Sequence, residues 1–210
     1  MKLSAGLKMS SPVRTADPRM ELRASKSCGA IATMMCAAGL LAAQLPSPEA
    51  WSRADAATKR VAPSEFSDVS QPVRVELQRR GCTIPQVYTG GPLHNVIRGA
   101  LRAAGQLDVA VLCSRQRTSA ILVFWGGDAG NVSEIAARAD ANFLQVVGPD
   151  RIGFSRAIRI ASPSYIGHHQ RGGAVRDSFA HDGIDDVFVE KASVVCYWRE
   201  GKWLQLSGAN

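Results

Sequence analysis

Six residues near the C-terminus, His181 to Asp186 (HDGIDD), bring one imidazole and three carboxylates together. Such groups suit a hard divalent cation, which prefers oxygen ligands, or an acid–base pair that gives and takes a proton. His181, Asp182, Asp185 and Asp186 are therefore the candidate catalytic residues of a small secreted hydrolase. The spacing lacks the alternating ligands and distal glutamate of a helix–loop–helix calcium site, so no metal is expected. Asp-Gly is also a turn signal, and Asp185 or Asp186 could cap whatever follows. The cluster reads first as a polar turn and second as a site.

Other chemistry is sparser. His168 and His169 are adjacent on a predicted short helix, where neighbouring side chains point about 100° apart and cannot easily share an ion. Cys82, Cys113 and Cys196 lack the close pairing of zinc or redox motifs. In an oxidising compartment one pair and one odd cysteine are expected. Cys82 follows a predicted helix and Cys113 lies in the strongest predicted strand, so the expected disulfide is Cys82–Cys113, with Cys196 a buried free thiol. No serine-nucleophile elbow, phosphate loop, dinucleotide fingerprint or His-Glu-x-x-His is present, and no cofactor is expected.

The elements that would position these residues follow a leader. Basic residues from Lys2 to Lys26 precede the apolar run Ala30–Ala43, then Pro46 and Pro48. These are the parts of an export signal over residues 1–50, and the run of about fourteen residues is too short to span a bilayer. Residues 51–69 read as a flexible linker. From residue 70 to 210 the pattern predicts one α+β domain, mainly antiparallel sheet with two or three packed helices.

Ser70, Pro72 and Gly81 punctuate a first helix that buries Val73 and Leu77. Residues 83–95 form a loop rich in Pro and Gly. Strands follow over 95–101, 108–114 and 119–125, with a hairpin tip at Arg115 to Thr118. Asn131 and Glu134 stand at capping-box spacing and predict a second helix. The segments 142–147 and 151–162 are further strands, Ser162-Pro163 opens a short helix, and 171–179 is loop. A closing hairpin turns at Glu200-Gly201.

The stretch VIRGALRAAGQLDVAVLCS, residues 96–114, resembles one FG-GAP unit at Gly99, Gly105, Asp108, Ala110 and Val111. That family binds calcium in the intervening loop. Ala100, Leu101, Arg102 and Ala104 occupy the polar positions here, leaving only Asp108 as a ligand. The residues then imply a bend at Gly105 and a turn or cap at Asp108. The chain as a whole resembles a group of uncharacterised exported bacterial proteins. Asp108–Ser114, Ile121–Trp125 and Gly183–Ser193 carry the likeness, which implies export and one small domain but no catalytic residues.

Without the leader, residues 51–210 hold 19 Lys and Arg against 15 Asp and Glu, a net charge of +4. The basic residues are scattered, so nucleic acid is not an expected partner, nor is a membrane once the signal is cleaved. The expectation is a secreted or periplasmic, non-catalytic module that binds a partner or polymer of the cell envelope. Trp125, Tyr197, Trp198 and Trp203 near strand ends are its candidate contacts.

Overall fold

The computed structural model describes residues 45–169 and 179–208. Ser47 opens the first helix, α1 (Pro48–Ala57). Its hydroxyl accepts from the Ala50 N–H, and Pro48 sits where a missing N–H costs nothing. The linker expected over 51–69 is therefore a misreading: α1, a short strand β1 (Arg60–Val61) and a 3-10 turn (Pro63–Glu65) occupy it. The compact unit runs from Gln44 to Asn210 rather than from residue 70.

Long-range partners hold that segment. Arg60 donates to Asp55 Oδ1 at 2.8 Å and to Asp140 Oδ2 at 2.7 Å, while Arg117 lies 3.3 Å from Asp55 Oδ2. Ser114 Oγ donates to the same Asp140 oxygen. Trp51 and Ala54 add apolar packing. No local sequence pattern announces contacts made 62 and 80 positions away.

The second helix, α2 (Gln71–Arg79), follows the expected design. Val73 and Leu77 are buried on one face. At its end the Gly81 N–H donates to Gln78 O and the Cys82 N–H to Leu77 O, the two bonds of a Schellman cap. Gly81 takes a φ of +70°, which a glycine adopts without strain. This cap delivers Cys82 to the sheet. The disulfide to Cys113 spans a Cα–Cα distance of 5.1 Å, as expected, and Cys196 is free and buried.

Two four-stranded antiparallel sheets form the body. The first has the order β3 (Val96–Gly99), β4 (Asp108–Arg115), β5 (Thr118–Phe124), β6 (Val132–Ala139). The second has the order β9 (Arg156–Ala161), β10 (Gly183–Phe188), β11 (Ala192–Arg199), β12 (Lys202–Ser207). A two-residue strand β2 (Ile84–Pro85) pairs with β1, and β7 (Leu144–Gly148) pairs with β8 (Arg151–Phe154). Short connections force most of these antiparallel pairings, while β1–β2 and β9–β10 pair across longer connections that hold α2 and a third helix, α3 (Pro163–His169). The α+β reading and the antiparallel sheet are what the structure contains.

Alternation along β4 sorts its two faces. Val109, Val111 and Cys113 join α2 and the N-terminal segment in one core. Ala110 and Leu112 join Ile158, Ile184 and Cys196 of the second sheet in another. Cys113 and Cys196 thus belong to different cores, which is why Cys82 is the partner. The far face of the second sheet carries α3 (Pro163–His169), with Ile166 buried against Ala161, Val195 and Tyr197. A Cβ on Gly183 would lie 2.8 Å from Cys196 O and 3.1 Å from Ile166, so glycine permits this approach.

The helix expected from Asn131 is instead β6, a second correction. Glu134 reaches across to Arg115 at 2.6 Å rather than capping a helix turn. Pairing with β5 outweighs a weak local preference. Ala136 breaks the helical pattern with a φ of +55°, and its carbonyl accepts from buried Arg156 at 2.7 Å. The strand expected over 151–162 is split by Ser155 into β8 and β9. The expected leader up to residue 44, and most of the loop expected over 171–179, lie outside the described residues.

The β3 and β9 edges of the two sheets are stitched together. Asn95 donates to Pro85 O and Arg156 O and accepts from the Ile158 N–H. Asp182 and Ala100 exchange two hydrogen bonds. Near the opposite edges, β6 and β12, a cavity of about 180 Å³ opens beside Arg138, Phe143, Phe188, Val194 and Gln205.

Candidate functional site

The four residues first singled out as a hydrolase site do not converge. His181 Nδ1 meets the Asp182 carbonyl at 2.9 Å, and Asp182 Oδ2 accepts from the Ala100 N–H at 3.0 Å. Only His181 and Asp182 belong to the turn. Asp185 and Asp186 lie inside β10, so neither caps a following element. As strand neighbours they point to opposite faces. Asp185 meets Tyr165 Oη at 3.5 Å beneath α3, and its Oδ1 is buried without a partner among the described residues.

Asp186 faces inward and binds Arg156 through Nε at 2.9 Å and Nη2 at 2.8 Å. Arg156 is wholly buried and spends its remaining donors on Ser119 and Ala136. Its guanidinium also lies 4.6 Å from the Phe143 ring centroid. Every donor has an acceptor, so this pair joins β5, β6, β9 and β10 and leaves no free group for chemistry. Among the described residues no group of three His, Cys, Asp or Glu is placed to hold a metal ion.

His168 and His169 contact each other edge to face, and His169 packs on Tyr165 at 4.4 Å. Cys196 is equally remote from nucleophilic work. Burial, with the Asp186 carboxylate nearby, pushes its thiol up to about 12. The nucleophile is the thiolate, which such a thiol does not form at neutral pH.

The tryptophans expected near strand ends are brought together, except for one aromatic partner. Trp125 directly follows β5, while Trp198 and Trp203 form a cross-strand pair beside the Glu200-Gly201 turn. Trp125 lies 5.0 Å from Trp198 and 5.5 Å from Trp203, and Trp198 lies 5.6 Å from Trp203. Trp125 is buried and donates its Nε1–H to Ser133 Oγ; the other two indoles are half-buried. Tyr197 points to the opposite face and packs on Phe179.

Arg102, exposed on the β3–β4 loop, completes this cluster. Its guanidinium carbon stands 5.7 Å from the Trp125 centroid and 5.9 Å from that of Trp198. Sequence reasoning passed over Arg102, because nothing local places it on tryptophans 23 and 96 positions away. One carboxylate sets the geometry. Asp108, fully buried, accepts from the Leu101 and Arg102 N–H groups through Oδ2 and from Gly126 N–H through Oδ1. The turn expected at Asp108 is present, and the same side chain fixes the loop bearing Arg102 and the residue after Trp125.

The chain matches no family model, no curated protein and no solved structure.

Proposed function

We infer that this is an exported, non-catalytic module that binds a partner or polymer of the cell envelope through the Trp125–Trp198–Trp203 face. The observation that carries the reading is the half-buried indole pair lying beside an exposed arginine. Aromatic side chains offer large, rigid contact area at little entropic cost, and clusters of them at a surface mark interaction sites. The buried Cys82–Cys113 disulfide is consistent with an oxidising compartment. No helix among the described residues is long and apolar enough to cross a membrane.

Signal cleavage near Ala43 keeps α1 whole, because its cap begins at Ser47; cleavage near Ala50 removes the cap and first turn. Cell fractionation with N-terminal sequencing tests the compartment. The expected result is an envelope or secreted chain starting just after Ala43. An uncleaved chain confined to the cytosol contradicts the reading.

A further inference from the structure

We propose that the tryptophan face takes a carboxylated sugar polymer, with Arg102 reading the carboxylate. This rests on the binding-module reading above and adds the ligand's chemistry. The first observation is an imbalance of donors. The Arg102 guanidinium lies over two indoles, yet none of its N–H groups meets an acceptor among the described residues. The exposed guanidinium is a donor in need of an acceptor.

A guanidinium presents paired N–H groups that match the two oxygens of a carboxylate, and stacking on an aromatic ring leaves that edge free. The indoles select the rest of the ligand. A sugar ring has an apolar C–H face that can lie on the electron-rich face of an indole, whereas its hydroxyls supply acceptors. An acidic peptide offers the carboxylate without a repeating ring, and a neutral glycan leaves Arg102 unpaired.

The second observation is preorganisation. Asp108 is buried and already saturated by N–H donors from Leu101, Arg102 and Gly126, with Gln106 Nε2 also bonded to it. It therefore holds the Arg102 backbone against the Trp125 turn before any ligand arrives. A contact arranged in advance loses less entropy on binding. The net charge of +4 on residues 51–210 also favours encounter with a polyanion.

The test uses the mature chain and its own tryptophan emission. It is titrated with an oligogalacturonate, with a neutral glucan oligomer of equal length, and with polyglutamate, for wild type and Arg102→Gln. The acidic oligosaccharide is expected to bind at least about tenfold more tightly than the neutral one, the worth of one charge-assisted pair. Arg102→Gln should erase that preference while neutral binding persists, and the preference should shrink as salt rises. Circular dichroism checks that the variant is folded.

Equal binding of acidic and neutral oligomers, or a preference that survives Arg102→Gln, overturns the role of Arg102 while leaving a glycan-binding face intact. Binding of polyglutamate alone overturns the sugar and leaves the binding module standing. No binding of any of the three overturns this proposal, and the binding-module reading is then judged on envelope polymers lacking carboxylates.

Discussion

Breaking the Cys82–Cys113 bond should cost the domain much of its stability. The two cysteines are 31 positions apart. Releasing a loop of that length returns about 3.7 kcal/mol of chain entropy to the unfolded state at 25 °C. Single domains have only about 5–15 kcal/mol in total, so the loss is a large fraction. The structure also gives the bond a mechanical task. It joins the Schellman-capped end of α2 to β4, and a helix of two to three turns is not stable alone.

Urea denaturation of the protein, oxidised and after reduction, isolates the effect without changing the sequence. Cys82→Ala/Cys113→Ala should resemble the reduced protein, with a further loss for the two missing buried sulfurs. The slope against urea should rise, because an unlinked denatured chain exposes more surface. A difference below about 1 kcal/mol between oxidised and reduced protein would refute the reasoning, since the chain-entropy model predicts several times that.

Further outcomes follow from the buried charges and the thiol. Asp186→Ala leaves the fully buried Arg156 without its counter-ion and should cost about 3–5 kcal/mol in the same denaturation assay; a loss under about 1 kcal/mol contradicts it. Native protein at pH 8 should not react with a thiol reagent at Cys196, whereas the unfolded chain should. With a folded value of about 12, above the ordinary 9.0, the thiol's contribution to stability is complete below pH 9 and is lost as pH rises towards 12. Rapid labelling of the folded chain would contradict this. Glu76 is held down to about 2 by hydrogen bonds from Arg79 and then Arg80. Its contribution is therefore present above the ordinary carboxylate value of 4.5 and lost as pH falls from there through about 2. The difference in melting temperature between wild type and Glu76→Gln should shrink over that window; a constant difference argues against the pair.

Local patterns carried much of the architecture. Gly81, the apolar pair Val73 and Leu77, and the two-residue turn at Glu200-Gly201 all act over a few positions, and each is where its spacing places it. The Cys82–Cys113 bond was legible because Gly81 ends a helix just before Cys82, Cys113 lies in the strongest strand pattern, and Cys196 belongs to the closing hairpin. Residues 51–69 and β6 were misread for the opposite reason. Asp55 finds Arg117, and Arg156 finds the Ala136 carbonyl, only after distant strands have assembled. The same holds for the face under Arg102. Trp198 and Trp203 are a pair that the hairpin turn implies, but Trp125 and Arg102 join them through Asp108, which links two loops. HDGIDD misled because composition cannot tell convergent carboxylates from carboxylates on opposite faces of a strand.

The proposed binding face is tested most directly by the indole N–H signals of the four tryptophans in a proton–nitrogen correlation spectrum, recorded while oligogalacturonate is added to the protein. Trp51, on α1, lies outside the ring contacts that join the other three indoles and serves as the internal reference. The expected result is that the signals of Trp125, Trp198 and Trp203 shift together and saturably while that of Trp51 stays in place. Saturable shifts confined to Trp51, or none at any indole while the ligand binds elsewhere, would contradict the assignment of this face.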